Sequence, residues 1–200
     1  MLDKSIPYAG FFMHRPAGAP ISSFPLPDGF QFVFYSAGDE MEWARIEASV
    51  LEFEGEFAAL MHFNEKFMPF IDELERRCLF IKNDAGDKIA TIMAWWAEIE
   101  GQRRPWLHWA GVDPRYQGLG LGKALISKVM ELFIELEGDV DVFLKTQTWS
   151  YKAVDIYMKN GFRPTAEKAL YKKRKHNYKK AMKILQSINN GAATLSSAAH

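Results

Sequence analysis

A mixed α/β domain of the α+β type, with a mostly antiparallel twisted sheet flanked by helices, is what this sequence predicts. Three observations carry that prediction. Two β-rich runs, 78–82 and 88–98, flank Asn83-Asp84-Ala85-Gly86, a turn by composition, and together read as a hairpin. A further strand, 104–112, leads into three glycines within five positions and then into an apolar-periodic helix. Another strand, in DVDVFLKTQT, follows that helix and completes one β-α-β crossover.

The remaining elements fill in around this core. Residues 1–29, rich in Pro and Gly with scattered aromatics, read as an extended lead-in laid over the domain. FQFVFY alternates and is β-rich, so a strand begins at residue 30. GDEMEWARIEASVLEF opens with Asp39 as N-cap and places Met41, Trp43, Ala44, Ile46, Val50 and Leu51 at helical spacing. A second helix covers about 57–76, interrupted near Pro69. The helix after the glycines sets Ala124, Leu125, Val129, Met130, Leu132 and Phe133 on its apolar side and ends near Gly138. SYKAVDIYMKN is a short helix capped by Ser150 and closed by Gly161. After GFRP the pattern turns helical and basic over 165–189, with Tyr178, Ala181, Met182, Ile184, Leu185 and Ile188 in phase, and 190–200 reads as a frayed tail. The order is roughly β-α-α-β-β-β-α-β-α in one domain of 200 residues.

Composition narrows the function. Lys+Arg and Asp+Glu number 25 each, so no global charge draws the chain onto nucleic acid or a membrane. No apolar stretch reaches the length of a membrane span, and Asp3 with the nearby prolines breaks up any secretory signal. The single cysteine, Cys78, rules out an internal disulfide framework and a cysteine-rich metal site and suits the cytoplasm. No metal is expected. Charge is nevertheless uneven: 39–75 is rich in acids and 168–183 in lysines, which read as two solvated helix faces. A nucleic-acid role for the basic stretch would show steep salt dependence, but the zero net charge and the lack of a reading motif argue against it.

The glycines are the most informative feature. At a helix start, unpaired N–H groups and the positive dipole end form an anion site, and residues without Cβ let a bulky phosphate approach. Gly118, Gly120 and Gly122, with the N–H groups of Leu119, Leu121 and Lys123, stand in that position. A P-loop would need Gly at 117 and Ser or Thr after Lys123, where Gln117 and Ala124 stand. A dinucleotide fingerprint would need an acid ending the next strand, which instead ends LKTQT. The pattern that fits is [R/Q]-x-x-G-x-[G/A], through Gln117, Gly120 and Gly122.

That pattern, in the order LHWAGVDPRYQGLGLGKAL … VFLKTQTWSYKAVDIYMKNGF, resembles the GNAT superfamily of acetyl-CoA-dependent N-acetyltransferases over about residues 78–163. The resemblance implies that the glycine loop holds the pyrophosphate of coenzyme A. It also implies that the backbone of Ala110, Gly111 and Val112 pairs with the pantetheine arm, where the two central strands splay apart. Tyr157 matches the tyrosine that many members use as general acid toward the coenzyme A sulfur; a packing role fits its stripe equally. Ser150 stands where the family often has Asn near the pantetheine. For the base, His108 shares a face with Trp106 and Ala110 if the strand is regular, and histidine titrates near neutrality. Glu98, Glu100 and water are its rivals, and a satisfied core histidine is the plain alternative. Arg115, Lys123 and Lys152 are further candidates for the phosphates.

The implied reaction is acetyl transfer to a primary amine of a small molecule or peptide, in a ternary complex, because Cys78 sits in an apolar strand and no other nucleophile is evident. The alternative is a non-catalytic acyl-CoA-binding regulatory module of the same fold. The acidic first helices and Trp43, Phe53, Trp95 and Trp96 would suit a cationic or aromatic amine, or would be surface and core. After GFRP the usual final strand of the family is not readable and the basic helix takes its place, so monomer and homodimer both remain open.

Overall fold

The computed structural model describes residues 2–171 and 177–197. Seven strands form one sheet: β1 (Gly10–Arg15), β2 (Phe30–Phe34), β3 (Cys78–Asn83), β4 (Lys88–Ile99), β5 (Gln102–Val112), β6 (Val142–Gln147) and β7 (Arg163–Thr165). Their order across the sheet is β2-β3-β4-β5-β6-β1-β7. Every pairing is antiparallel except β5 with β6, the crossover read from the sequence.

The helices are α1 (Glu40–Ser49), α2 (Glu56–Lys66), α3 (Ile71–Arg77), α4 (Leu121–Glu137), α5 (Tyr151–Lys159), α6 (Lys168–Tyr171) and α7 (Tyr178–Ser197). The break foreseen near Pro69 is a short 3-10 turn, Met68–Phe70, separating α2 from α3. Among the described residues no helix is long and apolar enough to cross a membrane.

The two faces of the sheet carry separate cores. On one, Phe11, Met13, Ile92, Ala94, Leu107 and Leu144 pack under α4, α5 and α7, meeting Leu125, Val129, Val154 and Ala181. On the other, Cys78, Phe80, Met93 and Trp95 pack under Trp43, Ile46, Phe63 and Leu74 of the first three helices. The period-two alternation of the strands sorts their side chains between the two layers.

Several expectations need correction. The lead-in of residues 1–29 is part of the sheet: GFFMHR inserts between β6 and β7, with Phe11, Phe12 and Met13 fully buried. Arg15, 2% exposed, anchors its end by pairing with Asp139 at 2.9 Å and by donating to the carbonyl of Ala19. A short strand, β7, does follow Phe162, and the place beside β6 belongs to the N-terminal strand. The C-terminal helix starts at Tyr178 and runs on to Ser197 through most of the supposed tail, while Lys172, Lys173, Arg174 and Lys175 lie outside the described residues. Two foreseen caps are absent: neither Asp39 nor Ser150 makes a side-chain cap bond. Asp39 instead accepts from Ser36 N–H at 2.8 Å and pairs with Lys88.

Candidate active site

β5 and β6 are paired at Trp106–Phe143 and Leu107–Leu144, and their ladder stops there. Beyond it the strands separate, and a cleft of about 370 Å³ opens on the α4–α5 side. Its walls bring together most of the residues read from the sequence: Ala110 and Val112 from β5; Gln117, Gly118, Gly120, Leu121, Gly122 and Lys123 from the loop and α4; and Ser150, Lys152 and Tyr157 from around α5.

The loop geometry explains its glycines. Gly118 and Gly120 both have φ of +87°, a left-handed conformation that L side chains rarely adopt, and nothing stands within 4 Å of where their Cβ atoms would be. The first α4 bonds back to the turn come from Lys123 and Ala124 N–H to the carbonyl of Gly120. The N–H groups just before them belong to the helix end that an anion would meet. Gln117 Nε2 donates to the carbonyl of Val112 at 2.8 Å, tying the loop to the strand end. Asp113, 3% exposed, accepts from Arg115 N–H at 3.0 Å and pairs with Arg115 and Arg45. Arg115 beside it holds its carboxyl down at about 2. Arg115 is thus committed to the turn and does not line the cleft, whereas Lys123 and Lys152 do.

Tyr157 is 8% exposed and faces the cleft from α5. Burial, then the negative charges of Glu52 and Glu47, push its hydroxyl well above the usual phenol range. It therefore stays protonated at neutral pH.

His108 stands elsewhere than regular alternation implies. Thr91 pairs with Gly111 and Met93 with His108, so two residues of β5, Trp109 and Ala110, face one of β4. This is a β-bulge, with Trp109 at φ 52°. The bulge puts His108 on the face of Trp106 and Gly111, toward α1, while Ala110 turns to the cleft. Its ring lies 6.2 Å from that of Trp106 and 6.5 Å from that of Trp109. Glu98 pairs with Arg103 across the hairpin and Glu100 sits in its turn, at the opposite end of β5 from the cleft. Neither lines the cleft.

One group went unread. Glu47, in the last turn of α1, is 0% exposed, and among the described residues neither carboxylate oxygen has a hydrogen-bond partner. It sits against β5 at Gly111, where a Cβ would come within 2.7 Å of Glu47 Oε1. Burial raises its pKa well above the ordinary carboxylate range, and Glu52 adds to the shift. The signal was in the sequence: Trp43, Ile46, Glu47 and Val50 follow the i, i+3, i+4, i+7 spacing of a buried stripe.

The sequence matches the family model described as the acetyltransferase (GNAT) family over residues 39–162, more than half of the chain. The chain belongs to the GNAT acetyltransferase family. That family generally uses acetyl-CoA. A GCN5-related N-acetyltransferase from Sphaerobacter thermophilus is similar at 18% identity and TM-score 0.62, over 80% of this chain and 49% of that one. A GNAT-family acetyltransferase from Colwellia psychrerythraea is similar at 11% identity and TM-score 0.58, over 82% and 55%. A GCN5-related N-acetyltransferase from Kribbella flavida is similar at 19% identity and TM-score 0.52, over 78% and 54%. The chain thus spans about half the length of these structures, which share its fold. No curated protein matches it in sequence.

Proposed function

We propose that this protein transfers the acetyl group of acetyl-CoA to a primary amine in a ternary complex. The observation that carries this reading is the coincidence of three features in one cleft: strands that part at Leu107, an open left-handed glycine loop at a helix start, and a buried tyrosine across from the strand edge. The fit to coenzyme A rests on this chain's own geometry. Gly118 and Gly120 leave the loop clear of side chains, and Lys123 and Lys152 supply positive charge at the rim. Bound there, acetyl-CoA supplies an activated thioester.

The chain's residues then have separate tasks. Gly118 to Lys123 bind the pyrophosphate through backbone N–H groups. The edge of β5 at Ala110, Gly111 and Val112 orients the pantetheine arm as an added strand would be oriented. Ser150 lines the same wall. Tyr157 holds a proton at its hydroxyl and donates it toward the sulfur as negative charge develops there. Direct attack by the amine is favoured over an acyl-enzyme because Cys78 is fully buried on the opposite face of the sheet, with its thiol pushed far up by burial.

Calorimetric titration with acetyl-CoA tests the reading. Binding by the wild type and its loss in Gly120→Glu are the expected results. No binding by the wild type would leave only the fold of the family, and acetylation of Cys78 during turnover would overturn direct attack.

A further inference from the structure

We infer that Glu47 is the group that receives the acceptor's ammonium in this protein and takes its proton before attack, an inference that rests on the reading of the cleft given above. The carboxylate sits on the α1 side of β5, directly against the backbone of Gly111. No larger residue would fit there, since its Cβ would also lie 3.1 Å from Ile46 Cγ2. A buried carboxylate left without partners is costly, and such groups in folded proteins are ordinarily hydrogen-bonded or paired. Among the described residues Glu47 has neither.

Its surroundings lack only a cation. Glu52, from the same helix end, and the hydroxyl of Tyr157, from α5, are the charged and titratable groups coupled to it across the parting of the strands, and Cys78 is coupled to it from β3. On the elements packed against α1, α2 carries Glu56, His62, Glu65 and Lys66, β4 carries Lys88, which pairs with Asp39, and β5 carries His108 and leads into Asp113, which Arg45 and Arg115 hold. The nearby cations Arg45 and Lys88 are already paired with Asp113 and Asp39, so an incoming ammonium would meet a carboxylate that neither of them holds.

On this inference the amine approaches by the segment joining α1 to α2. Leu51 there has φ 69°, a strained conformation for a leucine, and Glu52 N–H bonds back to the carbonyl of Glu47 at 3.2 Å. The side chain of Glu52 accepts from Gln147 Nε2 at 3.1 Å, bridging the gap between α1 and the end of β6. Beside it Phe53, His62 and Trp109 form an aromatic wall, with the Phe53 and Trp109 rings stacked 5.1 Å apart. An amine carried on an apolar or aromatic body fits that wall and brings the missing charge.

The step balances without further reactants. The ammonium gives one proton to Glu47 and becomes a neutral amine. The amine nitrogen forms a bond to the acetyl carbon as the bond from that carbon to sulfur breaks, with its electron pair going to sulfur. The second nitrogen proton is lost as the amide forms. One proton ends on the coenzyme thiol through Tyr157, and the other leaves to solvent from Glu47.

The test is acetyl transfer to benzylamine, tyramine and putrescine, measured by thiol release across pH, with acetyl-CoA calorimetry alongside. Glu47→Gln is expected to lower kcat about a hundredfold or more and to abolish the rise of kcat/KM with pH, while acetyl-CoA affinity stays within about twofold. Glu47→Asp is expected to restore part of the rate together with a displaced pH limb, and it carries the test if the Gln variant does not fold. Wild-type rates and an unchanged pH limb in either folded variant would overturn the inference, as would failure of the acetyl-CoA-bound wild type to acetylate any of the three amines. Failure of the wild type to bind acetyl-CoA would instead overturn the reading on which the inference rests.

Discussion

The two sides of β5 are built on opposite principles. On the cleft side, the proposed coenzyme cradle is made of backbone: two left-handed glycines, a helix start and a strand edge, all within residues 110–123. On the α1 side the proposed acceptor contacts are side chains gathered across the chain, with Glu47, Phe53, His62 and Trp109 converging from α1, the α1–α2 connection, α2 and β5. At the end of β5 the buried carboxylate of Asp113 is held by two arginines, Arg45 and Arg115. The α1 side keeps a buried acid unpaired. In the proposed reading a generic backbone cradle holds the coenzyme, whereas particular side chains tell the acceptor apart.

The contrast can be broken from either side. The largest effect is expected at Gly120→Glu, which adds a strained backbone and a carboxylate to the anion cradle. Acetyl-CoA affinity should fall at least about a hundredfold by calorimetry, with the circular dichroism spectrum retained because the Cβ meets no atom within 4 Å. Tyr157→Phe comes next. It should lower kcat by roughly ten- to a hundredfold while leaving acetyl-CoA affinity nearly unchanged, in steady-state assays.

Two stability measurements sharpen the difference between the paired and the unpaired acid. Asp113 has a depressed pKa, so its contribution is present above the unfolded value and is lost as pH falls from about 4 toward about 2. Asp113→Asn should remove roughly 1–2 kcal/mol at neutral pH, discounted for the exposure of Arg115, and should flatten that acid limb in urea titrations. Glu47 has a raised pKa, so the sign is reversed: its contribution holds below the unfolded value near about 4.3 and drains away as pH rises. Glu47→Gln should therefore raise Tm more at about pH 8 than at about pH 5, by a few degrees in calorimetric scans. The smallest effect is expected at His108→Ala, where kcat should change less than about fivefold, since the ring stands between Trp106 and Trp109 and does not line the cleft.

What could be read from the sequence follows the same division. The glycine loop, α4 and the hairpin are each signalled by residues close together in the chain, so spacing locates them, whereas Tyr157 was singled out by the family resemblance. The bulge at Trp109 and Ala110 was not readable, because it exists only in the pairing of β5 with β4, and it reversed the face assigned beyond His108. Glu47 was hidden by its company, one acid among many in 39–75, although its place on the Trp43–Ile46–Val50 stripe marked it as buried. β1 was missed for a similar reason. GFFM is a short apolar run bounded by turn residues, a pattern that fits a buried strand, but its Pro- and Gly-rich setting outweighed it.

The placement of β1 also has a bearing on how the molecule is assembled. Gly10 lies opposite Gln147, and Met13 opposite both Leu144 and Pro164, so the first strand closes loops of well over a hundred residues. Such closure is entropically expensive and slow to find. The earliest segment of this chain must wait for almost the latest before it has a partner on either side. Until then the outer edge of β6 presents unpaired N–H and C=O groups, the kind of template on which chains stick to one another. A version lacking residues 1–15 should therefore keep its glycine loop intact in sequence and yet be recovered mainly as aggregate.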